Sequence, residues 1–74
     1  MENKNLDEKI SQNLRYEIRN CGKTVKQISG EMGVTHSTIS QYCSGKSQPT
    51  LANLARLCNI IGASADDILE IKKD

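Results

Sequence analysis

The sequence predicts an all-α fold, a compact bundle of five short helices with a tight turn between the second and third. Three observations predict it. Apolar residues recur at helical spacing, as in Leu6, Ile10, Leu14 and Ile18, and strand-type alternation is scarce. The apolar stretches end at Gly22, Gly33, Gly45 and Gly62, and each glycine is followed within five residues by a capping type, Thr24, Thr35, Thr50 or Ser64. Aromatics are nearly absent, with two Tyr and no Trp or Phe, so the core must be built from Ile, Leu, Val, Met and Ala.

The first helix carries the four-residue stripe from Leu6 to Ile18, with Cys21 as a possible extension, and stops at Gly22. Asn5 is expected to cap it, with Glu8 as the capping-box partner, and residues 1–5 are expected to fray. Thr24 caps the second helix, and Gln27 reaches back to complete a box. Ile28 and Met32 face one side of that helix, and small Ser29 sits where helices would cross. Gly30 lies inside it, at a local cost of ~1 kcal/mol against Ala, and one account is close backbone packing. Gly33 takes the left-handed end position.

Thr35 caps the third helix, which turns Ile39 and Tyr42 inward and ends at Gly45. Its outer face holds His36, Ser37, Ser40, Gln41 and Ser44, which are polar and carry no acid. A short, uncharged, hydrogen-bonding ridge suits the floor of the DNA major groove. Residues 45–50 form a loop ending at Pro49 and the cap Thr50. Leu51, Leu54, Cys58 and Ile61 mark the core face of a fourth helix. Ser64 caps a fifth, with Asp66 and Asp67 in its first turn and Ile68, Leu69 and Ile71 as apolar positions. Residues 72–74 read as a solvated tail.

The 74 residues are enough for one small domain, residues 1–74, which buries only about 60% of its unfolded surface. No second domain is expected for an inducer. Net charge is +1, but its distribution is uneven: residues 1–14 sum to −1, residues 15–56 to +4 and residues 57–74 to −2. Cys21, Cys43 and Cys58 are odd in number and widely spaced, which fits neither a disulfide framework nor a zinc motif. One His, no paired carboxylates and no glycine-rich phosphate loop leave no catalytic constellation. The expectations are therefore no enzyme, no cofactor, no metal, no small-molecule ligand and no membrane, in a cytoplasmic protein with reduced thiols.

On these residues the chain resembles the lambda-repressor-like (Cro/CI-type, XRE family) helix-turn-helix DNA-binding domains. The resemblance rests on Ile28, Ser29, Met32, Gly33, Val34, Ile39 and Tyr42. It runs through Gly33-Val34-Thr35-His36-Ser37-Thr38-Ile39-Ser40, then Gly45-Lys46, Pro49-Thr50-Leu51, Leu54-Ala55-Arg56-Leu57, Gly62-Ala63-Ser64 and Asp66-Asp67-Ile68-Leu69. It covers roughly residues 10 to 71.

The resemblance implies a five-helix lambda-repressor-like bundle acting on double-stranded DNA as a transcriptional regulator, with a repressor expected. The third helix would enter the major groove, with His36, Ser37, Ser40 and Gln41 at base edges. Gln41 matches adenine N6 and N7 through its amide. Lys26, Thr35, Thr38, Ser44, Lys46, Ser47, Gln48 and Asn53 are the candidates for phosphate. The alternative for each is an ordinary exposed residue. Two departures stand out. Val25 replaces the glutamine that in many members meets phosphate and braces the recognition helix. Cys43 replaces a glutamate usually paired to an arginine, which frees Arg15 or Arg19. A homodimer is expected, with Ile60, Leu69 and Ile71 as its interface; the competing reading is that these residues finish the core. The alternative function is an antitoxin or other protein-interaction module with a protein partner.

Overall fold

The chain begins, in a computed structural model that describes residues 2–71 with side chains from residue 6 onward, with α1 over Glu2–Asn20. The helix is already formed three residues before Asn5, so the expected cap there is not used. Glu and Lys are good helix formers, and extending an existing helix adds a bond for each residue fixed. Leu14 and Ile18 are fully buried, Ile10 half-buried, and Leu6 is 42% exposed. The expected tail, residues 72–74, lies outside the described residues.

The next two helices follow the capping signals closely. α2 spans Val25–Met32 behind Thr24, whose Oγ1 accepts from the Gln27 N–H at 3.1 Å while the Thr24 N–H donates to Gln27 Oε1 at 2.8 Å. Gly33 closes it at φ 75°. α3 spans His36–Ser44 behind Thr35, whose Oγ1 accepts from the Thr38 N–H, and Gly45 closes it at φ 83°. Ser29 is buried at the crossing, its hydroxyl returned to the Lys26 carbonyl. Gly30 is exposed, and nothing lies within 4 Å of where a Cβ would stand. Close packing is therefore not its explanation.

α4 spans Leu51–Ile61 behind Thr50, and α5 spans Ala65–Leu69 behind Ser64. The expected core face of α4 needs correction. Leu51 is 85% exposed, and the buried side chains are Leu54, Leu57 and Cys58. An i, i+3, i+4 set lies on one narrow face, whereas Leu51, in the first turn, stands beyond the end of the core. Ile71 also differs from expectation: α5 ends at Leu69, and Ile71 is 54% exposed after it. Ser64 occupies the cap position without a side-chain cap bond. The other end of α5 is held instead by Asn13 of α1. Its Nδ2 donates to the carbonyls of Ile68 at 3.1 Å and Asp67 at 3.3 Å, and to Glu70 Oε2 at 2.7 Å.

α1 packs on α3 and α5, α2 packs on α3 and α4, and α4 meets α5. One cluster joins them: Leu14, Ile18, Ile28, Met32, Ile39, Tyr42, Leu54, Leu57, Cys58 and Ile68. The principal extents are 33 × 26 × 21 Å. Among the described residues no helix is long and apolar enough to cross a membrane.

Candidate nucleic-acid interface

Burying Ile39 and Tyr42 fixes which face of α3 is free. His36, Ser37, Ser40, Gln41 and Ser44 are all exposed, so the five candidate ridge residues share one open surface. Tyr42 is anchored further by its hydroxyl, which accepts from Asn53 Nδ2 of α4 at 3.3 Å. Asn53 in turn accepts from Arg56. Half-buried and doubly engaged, Asn53 acts first as a brace between α3 and α4.

The loop after α3 winds around one atom, the carbonyl oxygen of Gln41. It accepts from the N–H groups of Gly45, Lys46 at 3.0 Å and Ser47 at 3.4 Å, and from the Ser44 hydroxyl at 3.2 Å. The Ser44 hydroxyl is thereby committed to ending the helix. Lys46 is exposed beside this turn. Gln48 is tied to α1, its amide donating to Asp7 Oδ1 at 3.1 Å. Thr35 and Thr38 share a hydroxyl hydrogen bond of 2.9 Å at the start of α3; Thr35 is exposed and Thr38 half-buried. Lys26 is exposed at the start of α2, where the first-turn N–H groups lie outside the intrahelical ladder.

The two family departures meet in one place. An open groove where α1, α2 and α3 meet has Arg15, Arg19, Val25, Ser40, Cys43 and Ser44 among its lining residues. Burial pushes the Cys43 thiol above its ordinary range, although Arg19 and Arg15 pull it down. Neither arginine has an acidic ion-pair partner among the described residues; Lys23 pairs with Glu31 at 3.1 Å. Asn53 was expected only as a phosphate contact, and its bond to Tyr42 was not expected. The arginines were signalled only by the missing glutamate at Cys43. The brace had no sequence signal, because a polar pair eleven residues apart looks like ordinary surface.

Among the described residues there is no group of His, Cys, Asp and Glu side chains suited to hold a metal ion. Ile60 and Leu69 are half-buried against the core, and Ile71 stands outside it.

Two capped helices joined through Gly33, the second presenting a polar face clear of the core, define a helix-turn-helix protein. The chain belongs to the helix-turn-helix family of Cro/CI (XRE) type, whose family model matches residues 14–68. It is similar to the HTH-type transcriptional regulator DicA of Escherichia coli, at 33% identity over 93% of this chain and 50% of that protein. It is also similar to the cryptic phage CTXphi transcriptional repressor RstR of Vibrio cholerae, at 28% identity over 81% of this chain and 54% of that protein. The chain thus spans about half the length of these curated relatives. No solved structure gives a significant match.

Proposed function

We propose that this chain is a sequence-specific DNA-binding transcriptional regulator, acting as a repressor, and that α3 enters the major groove as part of a dimer. The observation that carries the reading is the exposed, acid-free ridge of His36, Ser37, Ser40 and Gln41 on a helix whose opposite face is locked into the core. The family membership and the regulator and repressor titles of the relatives support it.

In this reading Gln41 meets adenine, and His36, Ser37 and Ser40 lie against neighbouring base edges. Lys26, Thr35, Thr38 and Lys46 face phosphates; Ser44, Gln48 and Asn53 reach them only with atoms left over from their structural bonds. Two copies related by a two-fold would read half-sites ~34 Å apart, with Ile71 and the exposed edges of Ile60 and Leu69 between them.

The test is selection of bound duplexes from a random pool at moderate salt, followed by sequencing. The expected result is an enriched inverted repeat. Retention without any enriched motif would overturn the reading.

A further inference from the structure

Gln41 is the residue of the ridge that can read a base in two places at once, yet a free glutamine samples many rotamers and both amide orientations. Here both ends of its amide have neighbours. The Ser47 hydroxyl donates to Gln41 Oε1 at 3.4 Å, and Gln41 Nε2 donates to Ser37 Oγ at 3.5 Å. Ser47 is half-buried, and its place is set by backbone: its own N–H and that of Lys46 both converge on the Gln41 carbonyl. The residue that holds the side chain is thus tied to the same residue's main chain.

We propose that Ser47 is a specificity-determining positioning residue, which holds the side-chain amide of Gln41 in place between its own hydroxyl and that of Ser37. This rests on the base-reading role of α3 proposed above.

The chemistry follows from counting donors and acceptors. In this arrangement Ser47 gives its proton to the oxygen end of the amide, and the nitrogen end donates to Ser37. Oε1 keeps a second lone pair, free to accept from adenine N6, and Nε2 keeps a second proton, free to donate to N7. Ser37, accepting from Gln41, has its own proton left to donate outward to a purine N7, guanine O6 or thymine O4. Reversal of the amide would exchange donor and acceptor and mismatch adenine at both atoms. The two contacts are long and exposed in the free protein, where water competes with them. Inside a groove that excludes water they gain strength. Val25 at the start of α2 brings no polar atom to this task, so the brace on Gln41 comes from the loop behind α3.

The experiment has two arms, both on the full chain. In the first, the Gln41 side-chain NH2 resonances are followed by NMR without DNA in wild type, Ser47→Ala and Ser47→Thr. Ser47→Ala is expected to shift them and raise side-chain mobility, and Ser47→Thr, which keeps the hydroxyl, to restore both. In the second, random-duplex selection is run on the same proteins and on Gln41→Ala. Ser47→Ala is expected to weaken discrimination at the base pair that Gln41→Ala affects by about two- to tenfold, with the salt slope unchanged and Ser47→Thr rescuing it. A motif in wild type that Gln41→Ala alters and Ser47→Ala does not would overturn this inference alone. Uniform weakening on all duplexes with a shallower salt slope would make Ser47 a phosphate contact and also overturn it. A wild type that selects no motif would overturn the DNA-reading function itself, and with it the specificity role, even if the NMR arm shows the two side chains linked.

Discussion

A Cβ added to Gly45 would lie 2.8 Å from Ser11 Oγ, so the end of α3 rests directly on the middle of α1. Gly45 also holds φ 83°, in the left-handed region. Ser11 is buried, and its hydroxyl donates to the Asp7 carbonyl at 3.0 Å. Gly45→Ala is expected to cost about 1–2 kcal/mol from the backbone alone, and more because the Ser11 hydroxyl must leave its place. In a Ser11→Ala background the same substitution should cost less, since only the Cβ at 3.4 Å remains. Urea denaturation of the four proteins of the cycle measures this. Equal costs in both backgrounds would mean that the contact is not felt.

Gly30 makes the opposite case. It lies within α2 with ordinary helical dihedrals, and open space surrounds the missing Cβ. Gly30→Ala is therefore expected to stabilise the fold by about 0.5–1 kcal/mol, through helix propensity and a less entropic unfolded chain. For a domain of this size that is a rise in Tm of a few degrees, about 4–8 °C per kcal/mol. A fall in Tm would point to a contact at Gly30 made in solution.

The ends of α2, α3 and α4 were legible because their signals are local. Thr24 with Gln27, Thr35 and Thr50 each need a partner only three residues away, and the glycines at 33, 45 and 62 need only a backbone angle. The ridge of α3 was legible for a related reason, since burying Ile39 and Tyr42 leaves only one face free. Leu51 was misplaced because spacing fixes a direction around a helix but not how far the core reaches along it. Asn13 was passed over because its partners stand more than fifty residues away, at the C-terminal end of a five-residue helix. Asn13→Ala is expected to cost about 1–2 kcal/mol, by leaving the carbonyls of Asp67 and Ile68 short of a donor. Hydrogen exchange should show α5 opening more readily than α2 and α3 in that variant.

Two thiols give the fold a dependence on alkaline pH. Burial pushes Cys43 up, against the pull of Arg19 and Arg15, and burial followed by Glu17 pushes Cys58 up. A folded chain that holds these protons more tightly than the unfolded one loses stability as pH rises. The contribution is fully present below the ordinary thiol pKa of 9.0 and is lost as pH climbs from there through the folded values. Urea midpoints followed through that window should fall less steeply in a Cys43→Ser, Cys58→Ala protein than in the parent. Parallel slopes would show that other groups carry the dependence.

Lys46 is expected to separate affinity from sequence reading. Its backbone N–H is tied to the Gln41 carbonyl, while its side chain is exposed and has no ion-pair partner among the described residues. A lysine so placed is suited to phosphate as a mobile point charge, without a geometry that distinguishes one base from another. Each phosphate neutralised adds about 0.9 to the dependence of log K on log salt. Lys46→Ala is therefore expected to weaken binding to selected and random duplexes by the same factor, and to flatten the slope by about 1. Gln41→Ala is expected to leave the slope in place and reduce affinity for the selected duplex alone. Fluorescence anisotropy titrations at several salt concentrations, with one selected and one scrambled duplex, read both quantities. If Lys46→Ala instead lowered affinity for the selected duplex only, Lys46 would belong to the base-reading set, and the boundary drawn between the ridge of α3 and the loop behind it would be wrong.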